Sequence, residues 1–170
     1  IEQYSTGGIT SIIHGKWEHE ETRATFSRTT LQSGSHFLVV RDKAEAAYVC
    51  GFITGGGDRN EFLARFENAM SSGFDPGLHL DRVGLANQTT MLSSESLEIA
   101  EMFRQALLAR HGPKRLEDGF VAFDTICSAT EDRQRAIRAM ASKGLDAMIV
   151  IGGYNSSNTV NLAKIAASFT

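Results

Sequence analysis

The sequence predicts an α/β fold built on a largely parallel sheet. Three observations predict it. Short apolar runs of strand length alternate with longer stretches of helical periodicity. Residues that favour helix starts stand at the head of most of those stretches. Polar clusters fall just after the apolar runs, where parallel sheets place the loops that meet ligands.

The elements follow in order. Thr10-Ser11-Ile12-Ile13-His14 reads as a short buried strand, and His19 to Phe26 opens a helix. His36 to Val40 is a second strand. Asp42 stands as an N-cap for a helix over 43–53, which the run Gly55-Gly56-Gly57 ends. Asp58 caps the next helix, in which Phe62, Leu63, Phe66, Ala69 and Met70 keep helical spacing. Residues 71–80, with Gly73 and Asp75-Pro76-Gly77, read as a loop. Arg82 to Ala86 is a third strand. Ser93 or Ser94 then caps a long helix to about Arg110, stopped by His111-Gly112-Pro113. Val121-Ala122-Phe123 is a fourth strand. Ser128 and Glu131 fit a capping box for a helix to about Ser142. Met148 to Ile151 reads as a fifth, buried strand, and 157–168 as the last helix. The loop near Gly112 to Gly119 is the best boundary, dividing a unit over residues 1–117 from the first part of another over 118–170.

Bulk composition narrows the function classes. At 170 residues the chain suffices for one ordinary domain or one and a half small ones. With 42% hydrophobic and 22% charged residues it has a globular balance. A net charge of −3 without a basic block disfavours nucleic acid as a partner. The strongest apolar run, Ala147 to Ile151, is far too short for a membrane span. The first residue is Ile, and the pattern reads as an internal piece of a longer protein. Cys50 and Cys127 lie far apart with no C-x-x-C, which argues against a disulfide scaffold or a self-contained zinc site and for a reducing compartment.

Four clusters carry possible chemistry. Asn155-Ser156-Ser157-Asn158 follows the fifth apolar run and opens a helix, whose free N–H groups and partial positive charge attract phosphate. The plainer reading is one N-cap and a loop. No G-x-x-x-x-G-K-[ST] is present, so this is not a P-loop. Cys127 precedes the helix that opens at Ser128, a position that favours thiolate. Read alone, a buried cysteine is more commonly a small hydrophobe, and Cys50, inside a helical pattern, is taken as core. The run His14-Gly15-Lys16-Trp17-Glu18-His19-Glu20-Glu21-Thr22 is dense in acid and base. Its spacing fails both H-E-x-x-H and H-x-x-E-H, which excludes those zinc motifs. It can bind phosphate and move protons, or be a solvated helix start with acids in its first turn. Asn87-Gln88-Thr89-Thr90 offers hydroxyls after the third strand, or simply a strand-to-helix turn. The Gly55–Gly57 run follows a helix and lacks a dinucleotide fingerprint.

HGKWEHEET, RVGLANQTTM, DTICSATEDRQ and VIGGYNSSNT, in that order and spacing, resemble the hydroxymethylbutenyl diphosphate reductase (IspH/LytB) family. The form with HGK…HEET and ANQTTML is similar to its plant and cyanobacterial branch. The resemblance covers essentially the whole chain but only the middle of the family's. It implies small parallel-sheet three-layer units, one complete and one partial here, around a [4Fe–4S] cluster. It implies reductive removal of the allylic hydroxyl of hydroxymethylbutenyl diphosphate, with two electrons and two protons. The products are isopentenyl and dimethylallyl diphosphates, the last step of the methylerythritol phosphate route to isoprenoids.

Carried over by motif, the resemblance assigns Cys127 as one of three cluster ligands, Glu21 as the proton-feeding carboxylate, and Thr89 as the threonine near the substrate hydroxyl. It assigns His19, Ser156, Ser157 and Asn158 to the diphosphate. His14 has no match. A ferredoxin-type electron donor and a plastid-stromal or cyanobacterial cytoplasmic location also follow from it. With one matching cysteine, the segment alone is expected to be inactive. The alternative is a non-catalytic α/β module that grips a phosphate ligand.

Overall fold

The computed structural model describes residues 8–30, 34–122 and 128–169. Four strands, β1 (Thr10–His14), β2 (Phe37–Val40), β3 (Val83–Asn87) and β4 (Phe120–Ala122), form one sheet in the order β2-β1-β3-β4. Every pairing is parallel; Ile13 lies against Val39 on one side and Ala86 on the other. The chain runs outward from β1 to β2, then returns to β3 on the other side of β1. The β1/β3 seam is therefore the topological switch point, and its carboxyl end is where open parallel sheets bind ligands.

The helices are α1 (Glu20–Thr30), α2 (Lys43–Gly55), α3 (Arg59–Arg65), α4 (Pro76–His79), α5 (Ser93–His111), α6 (Pro113–Gly119), α7 (Ser128–Ala141) and α8 (Ser157–Ala167). Alternation of side chains along β1 sends Ile12 to one face and Ile13 to the other. On Ile12's face, α2 and α5 cover Leu38, Val40 and Leu85 with Val49, Ile53, Ile99, Phe103 and Leu107, and Phe62 and Phe66 of the α3 region complete that core. On Ile13's face a smaller cluster joins Phe37 and Val39 to Trp17 and Phe26, with Phe26 and Phe37 stacked at 4.5 Å. This is the three-layer arrangement expected of the sequence. The free edge of β2 is covered by residues 69–71: Val39 N–H donates to the Ala69 carbonyl and Ser71 N–H to that of Phe37.

Local chemistry explains the helix starts. Asp42 accepts from the amides of Ala44 and Glu45, and Asp58 from those of Asn60 and Glu61. Gly56, at φ +70°, closes α2 in the left-handed region.

Four expectations need correction. Residues 112–119 are not a loop: Pro113 pre-sets the backbone for α6. Residues 71–80 contain the short helix α4, capped by Asp75 with Pro76 in its first turn. Neither Ser93 nor Ser94 caps α5: the cap position is Leu92, without a side-chain cap bond. The stretch 148–151 pairs with no described strand, and Ile149 and Ile151 are 84% and 92% exposed. Met148 and Val150 pack against Ile137, Ile165 and Ala166 of α7 and α8, so the segment keeps a strand's alternation without a sheet. The fourth strand is placed at 120–122; Phe123 lies outside the described residues.

Candidate functional site at the carboxyl end of β1 and β3

The loops leaving β1 and β3 meet at the switch point. Gly15 follows β1 directly, and a Cβ there would lie 2.9 Å from Thr22 Oγ1 and 3.0 Å from Gln88 Cβ, so only glycine permits this approach. Lys16 N–H then makes a turn-stabilising bond to Gln88 Oε1 at 3.2 Å. The chain turns into α1 at His19, whose carbonyl accepts from Arg23 N–H and whose Nδ1 accepts from Glu21 N–H at 3.3 Å. The imidazole thus acts as the helix N-cap. With Nδ1 accepting, Nε2 carries the ring proton and is left as the donor.

Glu21, one residue into α1, reaches across the seam. Its Oε1 accepts from Thr89 N–H at 2.7 Å, a short charge-assisted contact. Beneath it, the buried Gln88 is bonded on both ends: Oε1 accepts from Thr22 Oγ1 at 3.3 Å, and Nε2 donates to Thr90 Oγ1 at 2.7 Å. Carboxylate and hydroxyl-bearing turn are thereby held together by residues far apart in sequence.

His14, at the end of β1, is fully buried on the α2/α5 side. Its Nδ1 pairs with Ser96 Oγ at 2.8 Å, across to the first turn of α5. Burial pushes its pKa down to about 4, against the opposing pull of Asp42, so the ring is neutral near pH 7.

The run Asn155–Asn158 lies at the start of α8. Ser156 is the N-cap, its Oγ accepting from Thr159 N–H at 3.3 Å. Ser157 Oγ and Asn158 Oδ1 are buried without a partner among the described residues, unlike most buried polar groups. The Ser157 hydroxyl, a donor left unbonded at a helix N-terminus, suits an anion, whereas Asn158 would have to present the Nδ2 end of its amide. Gly152, in the turn before, is required there: a Cβ would overlap the Thr159 side chain.

Gln134 and Asn161, which the sequence reading did not single out, join α7 and α8 to the turn after β3. A signal for both existed. Gln134 falls at helical spacing between buried Thr130 and Ile137, and Asn161 stands four residues before buried Ile165. A polar side chain on such a face must have partners.

The metal expectation rests on Cys127, which the described residues do not include. No group of three His, Cys, Asp or Glu side chains among them can hold a metal ion. Cys50 is partly buried against the core, and burial pushes its thiol up to about 12, away from the ligating thiolate. Cys127, the residue assigned as a cluster ligand, lies outside the described residues. No described helix is long and apolar enough to cross a membrane.

Fold and site together define a parallel α/β protein with an acid and hydroxyls at its switch point and unpartnered buried polar atoms at the start of α8. The chain belongs to the LytB protein family, whose model matches residues 1–170. It is 49% identical over 168 residues to a Prochlorococcus marinus protein named 4-hydroxy-3-methylbut-2-enyl diphosphate reductase, covering 99% of this chain and 41% of that one. Proteins of the same name from a Synechococcus species (51% over 168 residues, 99% and 40% covered) and Gloeothece citriformis (49% over 166 residues, 98% and 40% covered) match similarly. The chain thus spans about 40% of the length of these relatives.

Proposed function

We propose that this chain is the central portion of a 4-hydroxy-3-methylbut-2-enyl diphosphate reductase and supplies its diphosphate grip and proton delivery. The observation that carries the reading is the Thr89 N–H to Glu21 Oε1 bond at 2.7 Å, which sets an acid on a hydroxyl-bearing turn at the switch point. The names of the relatives supply the reaction class. The whole reaction removes the allylic hydroxyl as water with two electrons and two protons, and leaves isopentenyl or dimethylallyl diphosphate.

In this reading Ser156, Ser157, Asn158 and the α8 amides hold the diphosphate, joined by the Nε2 proton of His19. Glu21, in its protonated form, gives a proton to the departing oxygen through or beside the Thr89 hydroxyl, and Thr89 orients that oxygen. A fixed diphosphate converts the proton transfer into an oriented, effectively unimolecular step. The family's [4Fe–4S] group is not furnished by the described residues, and Cys127 as its ligand belongs to the proposal. So do the ferredoxin-type donor and a cyanobacterial cytoplasmic or plastid-stromal location, which the cyanobacterial relatives support. The division into units over 1–117 and 118–170 is likewise proposed; the pairing of β4 with β3 carries the first sheet to Ala122. A non-catalytic phosphate-binding module needs the Glu21–Thr89 contact only as a tie between α1 and the turn, whereas the reductase uses its acid as well.

The test is anaerobic iron–sulfur reconstitution of the full-length parent, then a reduced-viologen assay with hydroxymethylbutenyl diphosphate. Turnover to both isomeric diphosphates is expected. A reconstituted parent that binds the compound without turnover would overturn the reading in favour of the binding module.

A further inference from the structure

We infer that Gln134 and Asn161 are positioning residues that clamp the Thr90–Ser93 turn and so set the Glu21–Thr89 pair against the anion site at the start of α8. Gln134 is fully buried on α7 and uses both ends of its amide: Nε2 donates to the Met91 carbonyl at 2.9 Å, and Oε1 accepts from Ser93 N–H at 3.3 Å. Asn161, on the inner side of α8, donates from Nδ2 to the Thr90 carbonyl at 2.8 Å. The backbone of Thr90, Met91 and Ser93 is therefore held by side chains of the two helices that follow the sheet.

The turn has little else to hold it on that side. The N-cap position of the helix it leads into, Leu92, makes no side-chain cap bond but packs against the α7/α8 cluster. On its other side the turn is tied to α1 by Glu21 and by Gln88. Thr89 thus sits in a backbone segment clamped from two directions. Asn161 lies one helical turn from Asn158 on the same helix, so the Asn161–Thr90 bond links the start of α8 directly to the turn that carries Thr89. An unsupported turn would let the two halves of the site drift, and a misplacement of about 1 Å can cost about 100-fold in rate.

This inference rests on the reductase reading, and the experiment separates the two. The full-length parent is prepared as Gln134→Met and Asn161→Leu, near-isosteric changes that keep packing and remove the tethers. Amide hydrogen exchange at Thr89, whose N–H is bonded to Glu21, is the first readout, and it needs no activity. Exchange at least tenfold faster than wild type is expected in both variants; an unchanged rate overturns the inference whether or not the parent is a reductase. The second readout is kinetic. A kcat at least tenfold lower, KM within threefold and an altered ratio of the two product isomers are expected at unchanged iron content. A kcat that falls only in step with iron content or folded fraction, with the isomer ratio unchanged, also overturns it by reducing both residues to a structural role. If Gln134→Met does not fold, Asn161→Leu alone carries the same readouts.

Discussion

The sheet unit over residues 8–122 and the helix pair over 128–169 are held by different means. The first buries a large apolar core in which Phe62, Phe66 and Phe103 are essentially inaccessible. The second buries Ile137, Ile165 and Ala166, leaves Ile149 and Ile151 bare, and reaches the sheet unit through side-chain amides and the apolar contact of Leu92. Packing holds the sheet that carries the acid and its turn, whereas hydrogen bonds tie the start of α8 to that turn. Similar substitutions should therefore do different damage in the two regions.

The largest effect expected is catalytic. Glu21→Gln in the full-length parent should lower turnover by about 10²–10⁴, the range for a lost general acid, with little change in thermal midpoint. A variant that turned over normally would remove Glu21 from the proposed chemistry.

Stability contrasts come next. Phe103→Ala should cost about 3–5 kcal/mol, and Ile165→Ala, in the smaller cluster, about 2 kcal/mol. Urea unfolding of the full-length protein measures both. Equal losses would contradict the contrast between a deep core and a thin one.

The buried His14 makes the sheet unit acid-sensitive. Its folded pKa is about 4 against an ordinary value of 6.5, so between those values the unfolded chain binds a proton that the folded chain refuses. Stability is full above pH 6.5 and is lost as pH falls towards 4, by about 3 kcal/mol at most. His14→Gln should flatten that slope in a pH series of unfolding midpoints; an unaltered slope would place the acid sensitivity elsewhere. A smaller effect is expected at the α2 N-cap. Asp42→Ala should cost about 1 kcal/mol by the same unfolding measurement, and no loss would mean that solvent serves those amides equally well.

Much of the sheet unit was legible because its signals are local. Asp42 and Asp58 cap where their spacing places them, and the apolar runs of β1, β2 and β3 are strands in the sheet. The misreadings have physical causes. Pro113 serves both as a stop for α5 and as a start for α6, and spacing alone reveals only the first. The 148–151 run has a strand's composition, but a strand also needs a neighbour, which composition does not supply. At the site, the acid and the threonine were visible as motif residues, while their contact was not, because it spans 68 positions. Gln134 and Asn161 were passed over, and Gln88 was named only within its run, because an amide shows its importance only through its partners.

The central claim is a division of labour: α8 grips the diphosphate, and Glu21 with Thr89 moves the proton. Calorimetric titration of hydroxymethylbutenyl diphosphate into the full-length parent tests it most directly. Ser157→Ala and Asn158→Ala should each weaken binding about 10- to 100-fold, the worth of one hydrogen bond to a charged group, while Glu21→Gln binds within about threefold of wild type. The reverse pattern, with affinity lost at Glu21 and kept at Ser157 and Asn158, would contradict the account.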